Sequence, residues 1–200
     1  YFEKEQTATN MKFLLKLLSY PYRMAISIRH WMFDCGMLKS EEFPIPIICV
    51  GNITVGGTGK TPTAEMIVGY MKSHYNVALL SRGYGRRTSG YMEVKTSSSY
   101  RDVGDEPLQI KQKFPDVTVA VCGNRAEGIE KLLALPQSEK GIQKDSTRPE
   151  LIILDDAFQH RKVRPSHSIL LVNWSRPIHN DNLLPIGRLR DLPEQVKRAN

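Results

Sequence analysis

Cysteine is scarce. Cys35, Cys49 and Cys122 are scattered, odd in number and show no C-x-x-C spacing. That argues against a disulfide framework or a zinc site and fits a reducing compartment. Cys49, inside an apolar strand-like run, reads as buried packing. Long apolar stretches are missing too: no uninterrupted run approaches the roughly 18–20 residues that cross a bilayer. MKFLLKLL, from Met11, starts like a secretory signal, but Lys16 breaks it and no small-residue cleavage site follows. No internal repeat and no N-K-x-D guanine motif is present. Acidic residues are the minority charge, and the net +7 calls for an anionic partner. On charge alone that partner is nucleic acid, acidic lipid or a phosphorylated substrate.

What is present is globular in character. With 40% hydrophobic and 24% charged residues, the 200 residues have enough apolar material for one domain, or a core plus an accessory segment. YFEKEQTATN precedes Met11, which reads as a natural start, and the end at Asn200 reads as cut. Residues 11–40 stand apart: Lys12, Lys16, Arg23, Arg29 and Lys39 interleave with apolar and aromatic residues against a single acid, Asp34. This predicts a basic helical pair hinged at Pro21 and lying in an anionic membrane interface, with Tyr20, Tyr22, Trp31 and Phe33 at headgroup level. The plainer alternative is a helix packed on its own domain. The chain is therefore divided into a membrane-associating segment, 1–40, and a core, 41–200.

From Phe43 onward strands alternate with helices. IPIICVGNI, NVALLSRG, VTVAVCGN, ELIILDD and HSILLVNW are short apolar runs, with helical spacing over Thr63–Ser73 and Arg125–Leu135 and a polar surface loop at 137–149. Nearly continuous apolar strands of this kind predict an α/β fold, a parallel sheet with helices on both faces.

The first strand runs into TVGGTGKT, 54–61. The strict phosphate-loop pattern wants glycine where Thr54 stands, yet the donor-bearing half is intact. Gly56, Gly57 and Gly59 let backbone N–H groups turn toward an anion, with Thr54, Val55 and Thr58 completing the cradle. Lys60 reaches the β- and γ-phosphates and Thr61 offers a hydroxyl to Mg²⁺. Pro62 falls in the first helical turn, where its missing N–H costs nothing. Partition-type ATPases carry a lysine where this chain has Val55.

ELIILDD ends in Asp155 and Asp156, and in phosphate-loop proteins an acid at the end of a buried strand holds Mg²⁺. A turn with two solvated acids is the alternative. His160, four residues on, contacts phosphate or substrate, or else caps local structure. Arg82, Arg86 and Arg87 in SRGYGRR suit phosphate oxygens, or form a solvated basic turn. Asp105 and Glu106 in VGDEP sit in a glycine turn, where a rigid loop carboxylate is a candidate base for a hydroxyl nucleophile.

GNITVGGTGKTP, LLSRGYGR, VGDEP, LDDAFQH and LLPIGRLRDLP, in this order, resemble the tetraacyldisaccharide 4'-kinases, the lipid A kinases of Gram-negative bacteria. The resemblance runs from about Phe13 to the end. It implies a P-loop NTPase-like core and transfer of phosphate from ATP, with Mg²⁺, to the 4'-hydroxyl of a lipid A disaccharide 1-phosphate. That reaction belongs to the cytoplasmic face of the inner membrane, with no nucleic acid involved. The family pattern makes Lys60 and Thr61 the phosphate and Mg²⁺ contacts, Asp105 the catalytic aspartate, and Asp155 and Asp156 the acidic metal-site pair. Asp191 stands where the family has a metal-binding glutamate, and Ala157 replaces the glycine usual in DDGFQH. The histidine that the family pairs with its catalytic aspartate belongs to a later segment than these 200 residues. The rival reading is a nucleotide switch that controls a partner protein, and a second is a membrane module keeping a relic loop.

Overall fold

The computed structural model describes residues 2–136 and 147–200. Of the expected 137–149 loop, 137–146 lie outside the described residues. The tail 147–149 is irregular and is tied by Asn76, whose Nδ2 donates to Thr147 Oγ1 and Arg148 O at 2.8 Å.

Six strands form one sheet: β1 (Ile47–Gly51), β2 (Val77–Ser81), β3 (Met92–Glu93), β4 (Thr118–Val121), β5 (Leu151–Asp155) and β6 (His167–Leu170). Their spatial order is β3-β4-β2-β5-β1-β6. All neighbours are parallel except the short β3, which is antiparallel to β4. Alternate strand residues feed two cores, as the two-residue period requires. Cys49, Ala78, Leu80, Ile152 and Leu154 pack with Ala126, Ile129 and Leu132 of α5 (Arg125–Leu133) on one face. Val50, Val77, Leu79 and Ile153 pack on the other with α2 (Lys60–Met71), α3 (Tyr100–Val103) and α4 (Asp105–Lys113). Both faces are covered, which is why the strands read as continuous apolar runs. The parallel register brings the carboxyl ends of β1, β2, β5 and β6 to one edge.

The N-terminal segment differs from expectation. It forms one helix, α1 (Phe2–Asp34), that continues through Pro21. Proline removes one backbone donor from the helix interior. Pro21 and Leu17, whose carbonyl loses that donor, lie on the exposed side, where water can satisfy it. The two helices before β4 and the strand β3 were not expected either. VGDEP is accordingly not a free loop, since its Asp105 opens α4.

Candidate active site

β1 ends in Gly51, and the backbone of residues 52–59 leads into α2 at Lys60, three residues earlier than the spacing suggested. Gly59 precedes the helix at φ 80°, a left-handed conformation that favours glycine. Thr63 Oγ1 donates to Gly59 O at 2.8 Å and closes the first turn. The loop's glycines are exposed, and Lys60 Nζ lies 4.0 Å from Asp156 Oδ1. The start of α2, the exposed glycine loop and Lys60 thus lie together beside Asp156.

The structure also explains Thr54. Residues 53–55 pair antiparallel with 188–190: Val55 N donates to Arg188 O and Arg190 N to Ile53 O, both at 2.8 Å, with Thr54 opposite Leu189. Thr54 is thus in an extended ladder, which suits a β-branched residue and has no use for glycine. The ladder carries Arg190 to the strand ends. Its guanidinium grips both oxygens of Asp156, with Nη1 3.2 Å from Oδ2 and Nη2 on Oδ1. The same Nη2 donates to Asn52 Oδ1 at 2.6 Å, and Asn52 Nδ2 donates in turn to Thr58 Oγ1 at 2.6 Å.

The adjacent aspartates have different surroundings. Asp155 is 1% exposed, and its Oδ1 is buried without a hydrogen-bond partner. Burial pushes its pKa up to about 6, helped by Glu106 and Asp156 and partly offset by Arg125 and Lys60. A carboxylate oxygen buried and unpaired is suited to a cation ligand. Asp156 is half-buried, at φ 46°, a left-handed conformation rare outside glycine and held here by Arg190.

Asp191 lies elsewhere. Its Oδ1 meets His30 Nε2 at 2.6 Å and Leu192 N at 2.9 Å, and its Oδ2 is 3.5 Å from Arg198. Among the described residues no group of three or more His, Cys, Asp or Glu side chains is placed to hold a metal ion. Asp155, Asp156 and Asp191 are thus not assembled as one ligand set, because Asp191 is taken up by the helix and Arg198.

Asp105 is exposed at the first position of α4. Gly104 before it has φ 91°, and a Cβ there would come within 3.1 Å of Tyr84 O. Gly83 presses on Val103 O in the same way, 2.9 Å from its would-be Cβ. VGDEP is therefore packed directly against SRGYGRR, and these paired glycines fix where Asp105 stands. Arg82 is exposed, whereas Arg86 closes its own turn by donating to Gly90 O at 2.6 Å and Thr88 Oγ1 at 3.3 Å. Arg87 is exposed as well, with its backbone N–H on Arg101 O. His160 Nε2 accepts from Arg125 N at 3.3 Å, capping the start of α5. Its pKa is lowered to about 4 by burial and by the charges of Arg125, Lys162, Arg29 and Arg82, which keeps it neutral. A cavity of about 800 Å³, lined by Phe43, Cys49, Phe158, Arg161 and Arg198 among others, includes none of the phosphate-loop residues.

The family model for tetraacyldisaccharide-1-P 4'-kinase matches residues 11–200. The chain belongs to this family. It is 48% identical over 187 residues to a tetraacyldisaccharide 4'-kinase of Parabacteroides distasonis, covering 94% of this chain and 48% of that protein. It is 47% identical over 194 residues to one of Flavobacterium psychrophilum, covering 95% and 53%. A crystal structure of LpxK from Aquifex aeolicus in complex with ATP superposes with a TM-score of 0.82 at 34% identity, over 94% of this chain and 57% of that one. The chain thus spans about half the length of the curated relatives it matches.

Sequence reasoning missed three residues that the structure brings to these strand ends. Asn52 and Arg190 join the strand ends to the phosphate loop. Arg125, 2% exposed, ties β5 to β4 through Asp155 O at 3.1 Å and Cys122 O. The only signals were GN after the first strand, GN before Arg125, and the arginine beside Asp191. None of them shows where its side chain points.

Proposed function

We propose that this chain carries the nucleotide-binding core of an ATP-dependent kinase that phosphorylates the 4'-hydroxyl of a tetraacyldisaccharide 1-phosphate. The observation that carries the reading is the glycine loop opening onto α2, with Lys60 facing Asp156 beside the buried, unpaired Asp155. Loop N–H groups and Lys60 bind the ATP phosphates and gather charge on the γ-phosphoryl group. Asp155 and the Thr61 hydroxyl would hold Mg²⁺, which supplies charge neutralisation at the phosphates. The sugar oxygen attacks the γ-phosphorus, the bond to the β–γ bridging oxygen breaks, and Asp105 accepts the hydroxyl proton. Arg82, exposed beside Gly83, would meet substrate phosphate. Arg190 keeps Asp156 oriented while the chemistry takes place.

The membrane surface is the second element of the reading, with residues 1–40 as its binding segment and 41–200 as the kinase core, at the cytoplasmic face of the inner membrane. Among the described residues no helix is long and apolar enough to cross a bilayer. α1 instead presents Phe13, Leu17, Met24, Ile28 and Trp31 exposed on one side, at helical spacing, while Tyr22 and His30 face the core. An exposed apolar stripe on a docked, basic helix suits an interfacial position.

The test is incubation of the full-length protein with labelled ATP, Mg²⁺ and lipid A disaccharide 1-phosphate. The expected product is a doubly phosphorylated lipid. Robust ATP or GTP hydrolysis without a lipid product would overturn the kinase reading in favour of a nucleotide switch.

A further inference from the structure

We propose that Trp174 is a second membrane anchor, beside that offered by α1. The proposal rests on the interfacial reading of α1 and extends it to Trp174, the last residue of the run HSILLVNW that the sequence marked as a strand.

β6 lies beside β1 with Leu170 opposite Gly51, and Leu171 N donates to Gly51 O at 2.8 Å. Residues 171–177 therefore leave the sheet at the edge from which the phosphate loop leaves. They turn at Asn173–Arg176, closed by Arg176 N donating to Asn173 O at 3.0 Å. Ser175 N also donates to Asn173 Oδ1 at 2.9 Å. Trp174 sits at the tip of this closed turn and is 96% exposed, with exposed Val172 and Arg176 on either side. Among the described residues nothing covers the Trp174 ring, and its turn is fixed by its own hydrogen bonds. The same ring is well placed at a headgroup boundary, where its apolar body and its N–H are both accommodated. Arg176 beside it matches anionic headgroups, as does the net charge of +7.

α1 docks on the segment after β5, where Arg29 donates to Gln159 O at 2.7 Å. Trp174 follows β6, and β1 with its phosphate loop lies between those two strands. Both elements are tied to the carboxyl end of β1, where the glycine loop begins. α1 is tied through the Tyr22 hydroxyl on Arg190 O, with the Arg190 N–H bonded to Ile53 O, and the Trp174 turn through Leu171 N on Gly51 O. Contact at both would fix the tilt of the site over the surface, where a lipid's sugar headgroup is presented. One contact alone would leave the protein free to swivel.

These 200 residues hold two tryptophans, Trp31 and Trp174, and each becomes the reporter once the other, with any further tryptophan of the full-length protein, is replaced by phenylalanine. Full-length W31F and W174F proteins are mixed with vesicles of phosphatidylethanolamine and phosphatidylglycerol, with and without brominated acyl chains. In W31F, Trp174 emission is expected to shift to the blue and to be quenched by bromine. Trp174→Ala is expected to weaken vesicle binding on the order of tenfold. If Trp31 in the W174F protein responds and Trp174 in the W31F protein does not, the second anchor is overturned and the α1 reading stands. If Trp174 responds alone, the anchor stands and the α1 reading falls. If neither responds, both fall. Quenching of Trp174 by ATP with no response to vesicles also overturns the proposal, assigning the ring to nucleotide stacking.

Discussion

The imidazole of His30 lies 2.6 Å from the Asp191 carboxylate, joining residues 161 positions apart, and both are almost wholly buried at 3% and 1% exposure. Arg161 Nη1 meets the other ring nitrogen, Nδ1, at 2.9 Å. A guanidinium only donates, so Nδ1 accepts and Nε2 carries the proton given to Asp191. Tyr22 adds a second tie by donating to Arg190 O at 3.1 Å. The N-terminal helix is thereby fastened to the segment whose Arg190 grips Asp156.

His30→Ala leaves Asp191 Oδ1 buried with one donor fewer, and stability is expected to fall by about 2–3 kcal/mol. Urea unfolding of the two proteins measures the difference. His30→Gln, which can still donate, should recover part of it. Equal stability of the alanine variant would show that the pair does not fasten α1.

Asp155 predicts a pH dependence. Its folded pKa of about 6 lies above the ordinary 3.8, so the native state holds the proton more tightly than the unfolded chain. Below about pH 4 both states are protonated and nothing is lost. As pH rises through 6 the native state must carry a buried charge, and stability falls by about 3 kcal/mol. Asp155→Asn should be the more stable protein at pH 7 in chelator-containing buffer, with the difference vanishing near pH 4. Parallel stability curves for the two would contradict the assignment.

Lys60→Ala and Asp105→Ala should fail in different ways. On the kinase reading the lysine meets the ATP phosphates, so its loss should weaken ATP binding together with transfer. Asp105 stands on α4, outside the cradle, and its alanine variant should bind ATP almost normally while transfer falls by about 10²–10⁴-fold. Fluorescent-nucleotide titration alongside a lipid phosphorylation assay separates the two. Loss of binding in the Asp105 variant would remove its role as base.

Gly51 ends β1 where Phe158 crosses it. An added Cβ would lie 2.6 Å from Phe158 Cβ and 2.9 Å from the Phe158 backbone nitrogen, and backbone cannot step aside as a flexible side chain would. Gly51→Ala should destabilise by roughly 1–3 kcal/mol or more and weaken ATP binding, since the phosphate loop begins at the next residue. Thermal unfolding with and without ATP measures both effects.

The sequence shows what depends on near neighbours. Five apolar runs became the five longer strands, and GGTGKT became a loop and helix start, because each pattern is complete within a dozen residues. β3, two residues long, has too little periodicity to register. Pro21 suggested a hinge because its local cost is real, but the exposed side of a docked helix absorbs it. Asp191 read as a metal ligand by position in a motif, while its partner His30 lies at the far end of the chain. The Asn52–Arg190–Asp156 clamp is likewise a tertiary product, legible only once the ladder of 53–55 with 188–190 is known.

That clamp yields the sharpest test of geometry against charge. Arg190 holds its place through its backbone, since its N–H is bonded to Ile53 O and its carbonyl to the Tyr22 hydroxyl. A side-chain change therefore leaves the ladder standing. Arg190→Lys keeps the positive charge near Asp156, but an ammonium cannot grip both carboxylate oxygens and Asn52 with a rigid fork. Asp156 would lose its orientation, and with it Asn52's hold on Thr58 would loosen. Transfer is expected to fall by about 10–100-fold, with ATP affinity changed by less than about tenfold, the pattern of lost positioning rather than lost binding. A lysine variant that transfers phosphate at the full rate would mean that charge alone suffices at this position. One that loses ATP binding in the same proportion would move Arg190 into the nucleotide cradle itself.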